Sequence, residues 1–213
     1  MNHARTFLRL SQLAGKSGVK VAFKDESKLM KCIAKLLFFR PDFLTETVTT
    51  WGDTLYYPSR QWLAQNPEQG WRELAHGLIH ISDIRRVSLP LYVLSYLFPQ
   101  SLSLLALGFA YSPCLLLSLV FLLPWPAPFR KHWEMRATAM SMATEVWGGK
   151  EPSVTVAVSR FSGRHYYWCW PFPSFLRSEL AQWLGRVHAK RLGLLLPHTS
   201  DVKFSIRIEG VLR

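Results

Sequence analysis

Residues 71–86 read WRELAHGLIHISDIRR and run directly into residues 87–129, VSLPLYVLSYLFPQSLSLLALGFAYSPCLLLSLVFLLPWPAPF, which carry no charged side chain. A membrane-spanning helix takes about 20 apolar residues at 1.5 Å rise each, so this run has the length of about two spans. Pro99 divides it, Pro113 interrupts its second block, and Pro124, Pro126 and Pro128 close it. That punctuation predicts a hairpin of two short or kinked helices rather than one rod. Arg85 and Arg86 precede the run and Arg130 and Lys131 follow it, so the positive-inside bias puts both feet on the cytoplasmic face. A buried helical pair in a soluble protein or assembly is the alternative that the same pattern allows.

The rest of the chain is basic around this block. Its 213 residues suit one domain or a domain with an appended element, and 26 Lys+Arg against 14 Asp+Glu give a net charge of +12. Residues 1–40 and 130–213 each carry a net +7, while 41–86 carry −2. The charge alone would permit nucleic-acid binding, but no recognition motif accompanies it, and basic clusters beside apolar blocks are usual in membrane proteins. MNHARTFLRLSQLAGKSGVKVAF at the N-terminus never builds the apolar block of a signal peptide. Cys32, Cys114 and Cys169 are odd in number and widely spaced, which gives neither a disulfide framework nor a CxxC metal pair and fits a reducing, cytosol-facing location.

Periodicity outlines the elements. Leu29, Ile33, Leu36 and Leu37 recur at helical spacing among Lys28, Lys31 and Lys35, which predicts a basic amphipathic helix over Ser27–Arg40. It could lie on an anionic lipid surface or dock as an ordinary helix with a solvated face. Thr45–Pro58 reads as two short β segments bent at Gly52-Asp53, and a helix follows Pro67 through Trp71–Ile84. Another helix is expected over Phe129–Val146 with Gly148-Gly149 as its stop. Alternating Val154, Val156 and Val158 predict a strand over Ser153–Arg160, an aromatic turn follows at 165–173, a helix at Ser174–Leu195 and a strand at 202–209. His165, Tyr166, Tyr167, Trp168 and Trp170 in that turn fit a core cluster, a recognition surface or an interfacial belt. The class is α+β, dominated by helices, with a small β-sheet.

His76 and His80 are four residues apart on the expected helix, so both imidazoles lie on one face within reach of a single metal ion. Two incidental helix histidines would show the same spacing. Gly-x-Ser-x-Gly elbows and Gly-rich phosphate loops are absent from the sequence.

The string ELAHGLIHISD, residues 73–83, resembles the HExxH helix of gluzincin metallopeptidases, and TTWGDTLYYP, residues 49–58, looks like the edge strand that precedes it in those enzymes. Downstream of the hydrophobic hairpin, Trp133-Glu134-Met135-Arg136-Ala137 is similar to the ExxA core of the helix that supplies their third ligand. The order of histidine helix, membrane hairpin and glutamate helix resembles integral-membrane gluzincins of the HtpX and CAAX-prenyl-protease type. Small proteins of tailed bacteriophages look similar too, including the PAPFR stretch at 126–130. The resemblance covers roughly residues 45–145. It implies a zincin-like helix pair within a core at 45–146 that includes the hairpin at 87–129; outside it, the residues themselves mark a basic amphipathic segment at 1–44 and a C-terminal αβ segment at 147–213. It further implies zinc as cofactor, held by His76, His80 and Glu134. Glu73 and Asp83 lie one turn before and after the histidines, roughly on their face, where they could touch a ligand imidazole.

The departure from that family is at Gly77, where HExxH enzymes carry the glutamate that deprotonates the metal-bound water. Three readings follow. The first is a membrane-associated, phage-encoded, degenerate metallopeptidase-like protein, with or without bound zinc, that is not proteolytic and has no catalytic residue of the usual kind. The second is a structural or assembly protein of a virion or membrane complex, in which the histidines are incidental and residues 87–129 contact a membrane or a hydrophobic protein partner. The third is an active peptidase with a substitute base, which Gly77→Glu would address. Asp83, beside Arg85 and Arg86, is expected to belong to a surface charge cluster.

Overall fold

A computed structural model describes residues 3–38, 40–99, 101, 102, 105, 112, 125–163, 166 and 168–188. Its centre is a pair of long helices, α4 (Pro67–Val87) and α6 (Pro128–Trp147). Each begins with a proline in its first turn, where the missing N–H costs nothing, and α4 carries Glu68 at its positive end and Arg85 and Arg86 at its negative end. Gly148 caps α6 and Gly149 takes φ +76°, so the helix stops where the glycine pair predicts.

Both helices are buried on more than one face because other elements wrap them. On one side of α4 lies α1 (His3–Lys16), whose buried Thr6, Leu10 and Ala14 recur every four residues and form a single stripe. On another lies a three-stranded sheet of β1 (Lys20–Phe23), β2 (Thr49–Trp51) and β3 (Thr54–Tyr57), in the order β1-β3-β2. β2 and β3, the two expected β segments, form a hairpin rather than a single edge strand, antiparallel with Thr49 opposite Tyr56 and Trp51 opposite Thr54, and Gly52 supplies the φ of +57° that its turn needs. β1 runs parallel to β3, pairing Lys20 with Thr54 through Phe23 with Tyr57. The main core thus joins Leu10 and Ala14 of α1, Leu55 and Tyr57 of β3, Trp71, Leu74 and Ile79 of α4, and Met140 of α6. Burying each large apolar side chain contributes roughly 1.5–3 kcal/mol before conformational entropy is subtracted.

Between β1 and the hairpin, α2 (Lys28–Leu36) starts at Ser27, whose hydroxyl accepts the Met30 N–H, and only Met30 of this helix is buried. A single 3₁₀ turn at Pro41–Phe43 leads to β2. The short α3 (Arg60–Gln65) is capped by Ser59 in the same manner and leads into α4. The uncharged run begins with α5 (Leu89–Leu97), and the hairpin expected over 87–129 otherwise lies largely outside the described residues. Among the described residues no helix is long and apolar enough to cross a membrane.

Beyond α6 the alternation of Val154, Val156 and Val158 misleads. Residues Val154–Ser162 form a helix, α7, rather than the expected strand. Ser153 caps it by accepting the Val156 N–H, and Ala157, Val158 and Phe161 fall on one buried face while Val156 turns outward. Helical spacing of the buried groups and a strong N-cap overrode β propensity. α8 (Pro173–His188) matches the described part of the helix expected at Ser174–Leu195, and the strand expected at 202–209 lies outside the described residues. A second core joins Met135 and Met142 of α6 to Phe161, Cys169, Leu176 and Leu180. Of the aromatic turn, Tyr166 packs edge-on against Phe161 at 5.2 Å, in the manner of a core cluster, while His165 and Tyr167 lie outside the described residues.

Asp83 also departs from expectation. It is not part of a surface cluster: it is 1% exposed and paired with Arg136 of α6, Nη2 to Oδ1 at 2.9 Å and Nε donating to Oδ2 at 3.2 Å. Arg85 instead reaches Asp53 in the hairpin turn and donates to the Ser17 carbonyl at 2.8 Å, tying the end of α4 to the sheet.

Candidate metal centre

α4 and α6 face one another, and at their contact His76, His80 and Glu134 come together. The four-residue spacing stacks the two imidazoles along one face of α4, with ring centroids 4.8 Å apart. Their Nε2 atoms point at each other across 3.1 Å, and Oε2 of Glu134 stands 3.7 Å from each. At 3.7 Å these are ion-pair contacts, too long for hydrogen bonds. Oε2 is buried and accepts no hydrogen bond, although burying a carboxylate oxygen without a partner is costly.

The triangle has the dimensions of a metal site. A point equidistant from the three atoms lies about 2.0 Å from each, which is the bond length of zinc to imidazole nitrogen and carboxylate oxygen. Two neutral imidazoles and one carboxylate are also the donors that zinc accepts together. The residues present therefore fit a divalent ion.

The remaining atoms of all three side chains are held from behind by hydroxyl groups. Ser141, two turns along α6 from Glu134, meets Nδ1 of His76 at 3.1 Å and donates its own proton to the Ala137 carbonyl at 3.3 Å. His76 Nδ1–H is then the donor to Ser141, which leaves its Nε2 lone pair facing the centre. The Tyr92 hydroxyl, from α5, meets Nδ1 of His80 at 2.9 Å. Tyr96, one turn further along α5, donates to Oε1 of Glu134, which leaves Oε2 facing the imidazoles. The Arg130 guanidinium lies 4.4 Å above the Tyr96 ring. Ligand, supporting group and their orientation thus come from three helices.

Charge follows from this enclosure. Burial pushes the Glu134 carboxyl upward, but the two facing imidazoles outweigh it and hold the group well below the usual carboxylate range. Burial opposes protonation of His76, yet Glu134, with Glu73 adding to it, raises its pKa above that of an ordinary histidine. The Glu134 carboxylate thus favours positive charge on the His76 ring it faces.

The sequence singled out the three converging residues but not their supports. Ser141, Tyr92 and Tyr96 take the places expected of Glu73 and Asp83: Asp83 is turned to Arg136, and Glu73 acts on His76 through its field. Two tyrosines in an apolar run carry no signal that separates them from core residues. The tyrosine spacing of four, matching the histidine spacing of four, is the one trace they leave.

Gly77 does not face the centre. A Cβ built there would lie 2.2 Å from Leu55 Cδ1 and 3.1 Å from Thr50 Oγ1, so α4 is pressed onto β2 and β3 at this point and only glycine fits without displacing Leu55. The position that holds the general base in HExxH enzymes is packed against the sheet. No protein-family model, no curated protein and no solved structure matches this chain.

Proposed function

We propose that this is a membrane-associated protein on a metallopeptidase-like scaffold, which binds zinc through His76, His80 and Glu134 and does not cleave peptides. The observation that carries the reading is the convergence of two Nε2 atoms and an unpartnered buried carboxylate oxygen on one point at metal-ligand distance. Bound zinc would supply a Lewis acid with a fourth position for water or an outside donor. His76 and His80 would bind as neutral imidazoles, with Ser141 and Tyr92 holding their Nδ1 atoms. Glu134 would supply the one negative charge. Absence of proteolysis follows from Gly77, since nothing at that position can take a proton from the bound water and Leu55 fills the space a side chain would need.

Membrane association is supported by the way α5 is turned. Its inward face carries the hydroxyls of Tyr92, Ser95 and Tyr96, and its outward face exposes Leu91, Leu94 and Leu97. Polar groups inside and leucines outside reverse the pattern of a water-soluble helix and suit a hydrocarbon environment. α2 adds an exposed strip of Leu29 and Leu36, followed by exposed Phe38, beside Lys28, Lys31 and Lys35, the chemistry of an anionic lipid surface.

Metal analysis of the purified protein tests the centre. One zinc per chain, lost in His76→Ala/His80→Ala, is the expected result; metal-free wild type refutes it and favours an assembly protein with incidental histidines. Alkaline carbonate extraction tests the membrane, where release into the soluble fraction contradicts insertion.

A further inference from the structure

The root of the uncharged run is attached to the body by the metal centre itself. On α5 only Tyr92 is fully buried; its ring packs at 5.4 Å on Trp133 and at 5.7 Å on Tyr96. Among the described residues four side-chain hydrogen bonds tie this helix to the rest of the protein. Trp133 Nε1 donates to Ser95 Oγ at 3.0 Å, Arg130 Nη2 donates to the Tyr96 hydroxyl at 3.5 Å, Tyr92 bonds His80 Nδ1 and Tyr96 donates to Glu134 Oε1. Two of the four end on His80 and Glu134, on the side away from the point where the three candidate ligand atoms converge.

Those two bonds decide which atoms face the centre. The Tyr92 hydroxyl meets His80 at Nδ1, which turns Nε2 inward, and a hydroxyl can donate or accept there. With Nε2 bound to a metal, Nδ1 would carry the ring proton and Tyr92 would accept it. A phenol can take either role and a phenylalanine neither. Tyr96 similarly fixes which carboxylate oxygen is offered.

We propose, resting on the zinc reading above, that Tyr92 and Tyr96 are positioning residues of the metal centre and that docking of α5 and binding of zinc are one coupled equilibrium. Zinc then fixes the root of the uncharged run on the α4–α6 pair, and the docked run in turn tightens zinc by the same factor. Removing an outer partner of a metal ligand typically weakens the metal by 10–100-fold.

The test uses the full-length chain in detergent, with zinc affinity read by competition against a chromogenic chelator and amide hydrogen exchange read over residues 89–97 with zinc or with EDTA. Zinc is expected to slow exchange over 89–97 in the wild type. Tyr92→Phe/Tyr96→Phe is expected to bind zinc 10–100-fold more weakly and to show exchange there that no longer depends on metal, with α1 protected as before. Zinc binding to the wild type without a change over 89–97 overturns the coupling and leaves the zinc reading standing, as does a double variant that binds zinc like the wild type. A wild type that binds no zinc overturns both. Should the double variant fail to fold, the wild-type exchange pair decides alone.

Discussion

Two of the places where this protein buries charge are built in opposite ways. Lys24 is 0% exposed, and its ammonium is saturated: it donates to the Phe43 carbonyl at 2.6 Å and to Thr47 Oγ1 at 2.9 Å, and lies 3.8 Å over the Phe43 ring. Nothing is left over for a ligand. At the other site the Nδ1 atoms and Oε1 are met by hydroxyls, while two Nε2 atoms in contact with each other and one Oε2 that accepts no hydrogen bond face a common point. A closed set of hydrogen bonds marks a structural group that fixes a loop, here the segment between α2 and β2. A set closed on the outside and open at the centre marks a place that could hold a cation.

The sharpest break between the two comes from metal. His76→Ala/His80→Ala should lose stoichiometric zinc altogether, while Lys24→Met should retain it, as read by metal analysis. Next in size is the third buried charge, Asp83 with Arg136. Arg136→Ala leaves a carboxylate enclosed without its counter-ion and should cost about 3–5 kcal/mol in chemical denaturation. An unchanged midpoint there would mean that Asp83 protonates or finds water, and would weaken the contrast between closed and open sites.

Lys24 supplies a prediction in pH. Burial lowers its pKa to about 7, with Arg40 adding to that effect and Asp42 opposing it. The unfolded lysine titrates near 10.4, so between about pH 7 and 10 the unfolded chain holds the extra proton, and stability should rise with pH by up to about 1.4 kcal/mol per unit. Lys24→Met should flatten that rise in unfolding curves measured across the window. A rise that persists in the variant would show that another group causes it.

The smallest effect is expected at Gly77. Alanine there gains about 1 kcal/mol in helix propensity but must displace Leu55, at a cost of about 1–3 kcal/mol, so Gly77→Ala should be destabilised by about 1 kcal/mol net. Leu55→Ala in the same chain should remove the penalty specific to residue 77. Gly77→Glu alone should show no cleavage of an unstructured substrate; chelator-sensitive cleavage by that variant would mean that the side chain can turn from the sheet to the metal.

Most of what positions the centre was legible in the sequence. Gly52-Asp53 marked the bend between β2 and β3, prolines opened α4 and α6 and a glycine pair closed α6, and the spacing of His76 and His80 put two imidazoles on one face. What escaped was long-range. Parallel pairing of Lys20–Phe23 with β3 leaves no local pattern, since its partner is more than thirty residues away. Asp83 reads as a surface residue among arginines because its true partner, Arg136, lies on another helix. Tyr92 and Tyr96 read as apolar mass until their hydroxyls are seen to end on His80 and Glu134. The alternating valines failed for the opposite reason, a local β pattern outvoted by a capped helix with a second core to cover.

The strand order carries one more consequence. β3 is the middle strand, and one of its two flanks is covered by residues from the start of the chain, β1. A truncation that removes residues 1–23 would leave the backbone of Thr54–Tyr57 with a bare edge beside a half-built core. Such an edge recruits strands from other molecules. The first helix and strand therefore protect against self-association as much as they add stability, and a trimmed chain should be lost to aggregation before it shows any defect at the His76, His80 and Glu134 cluster.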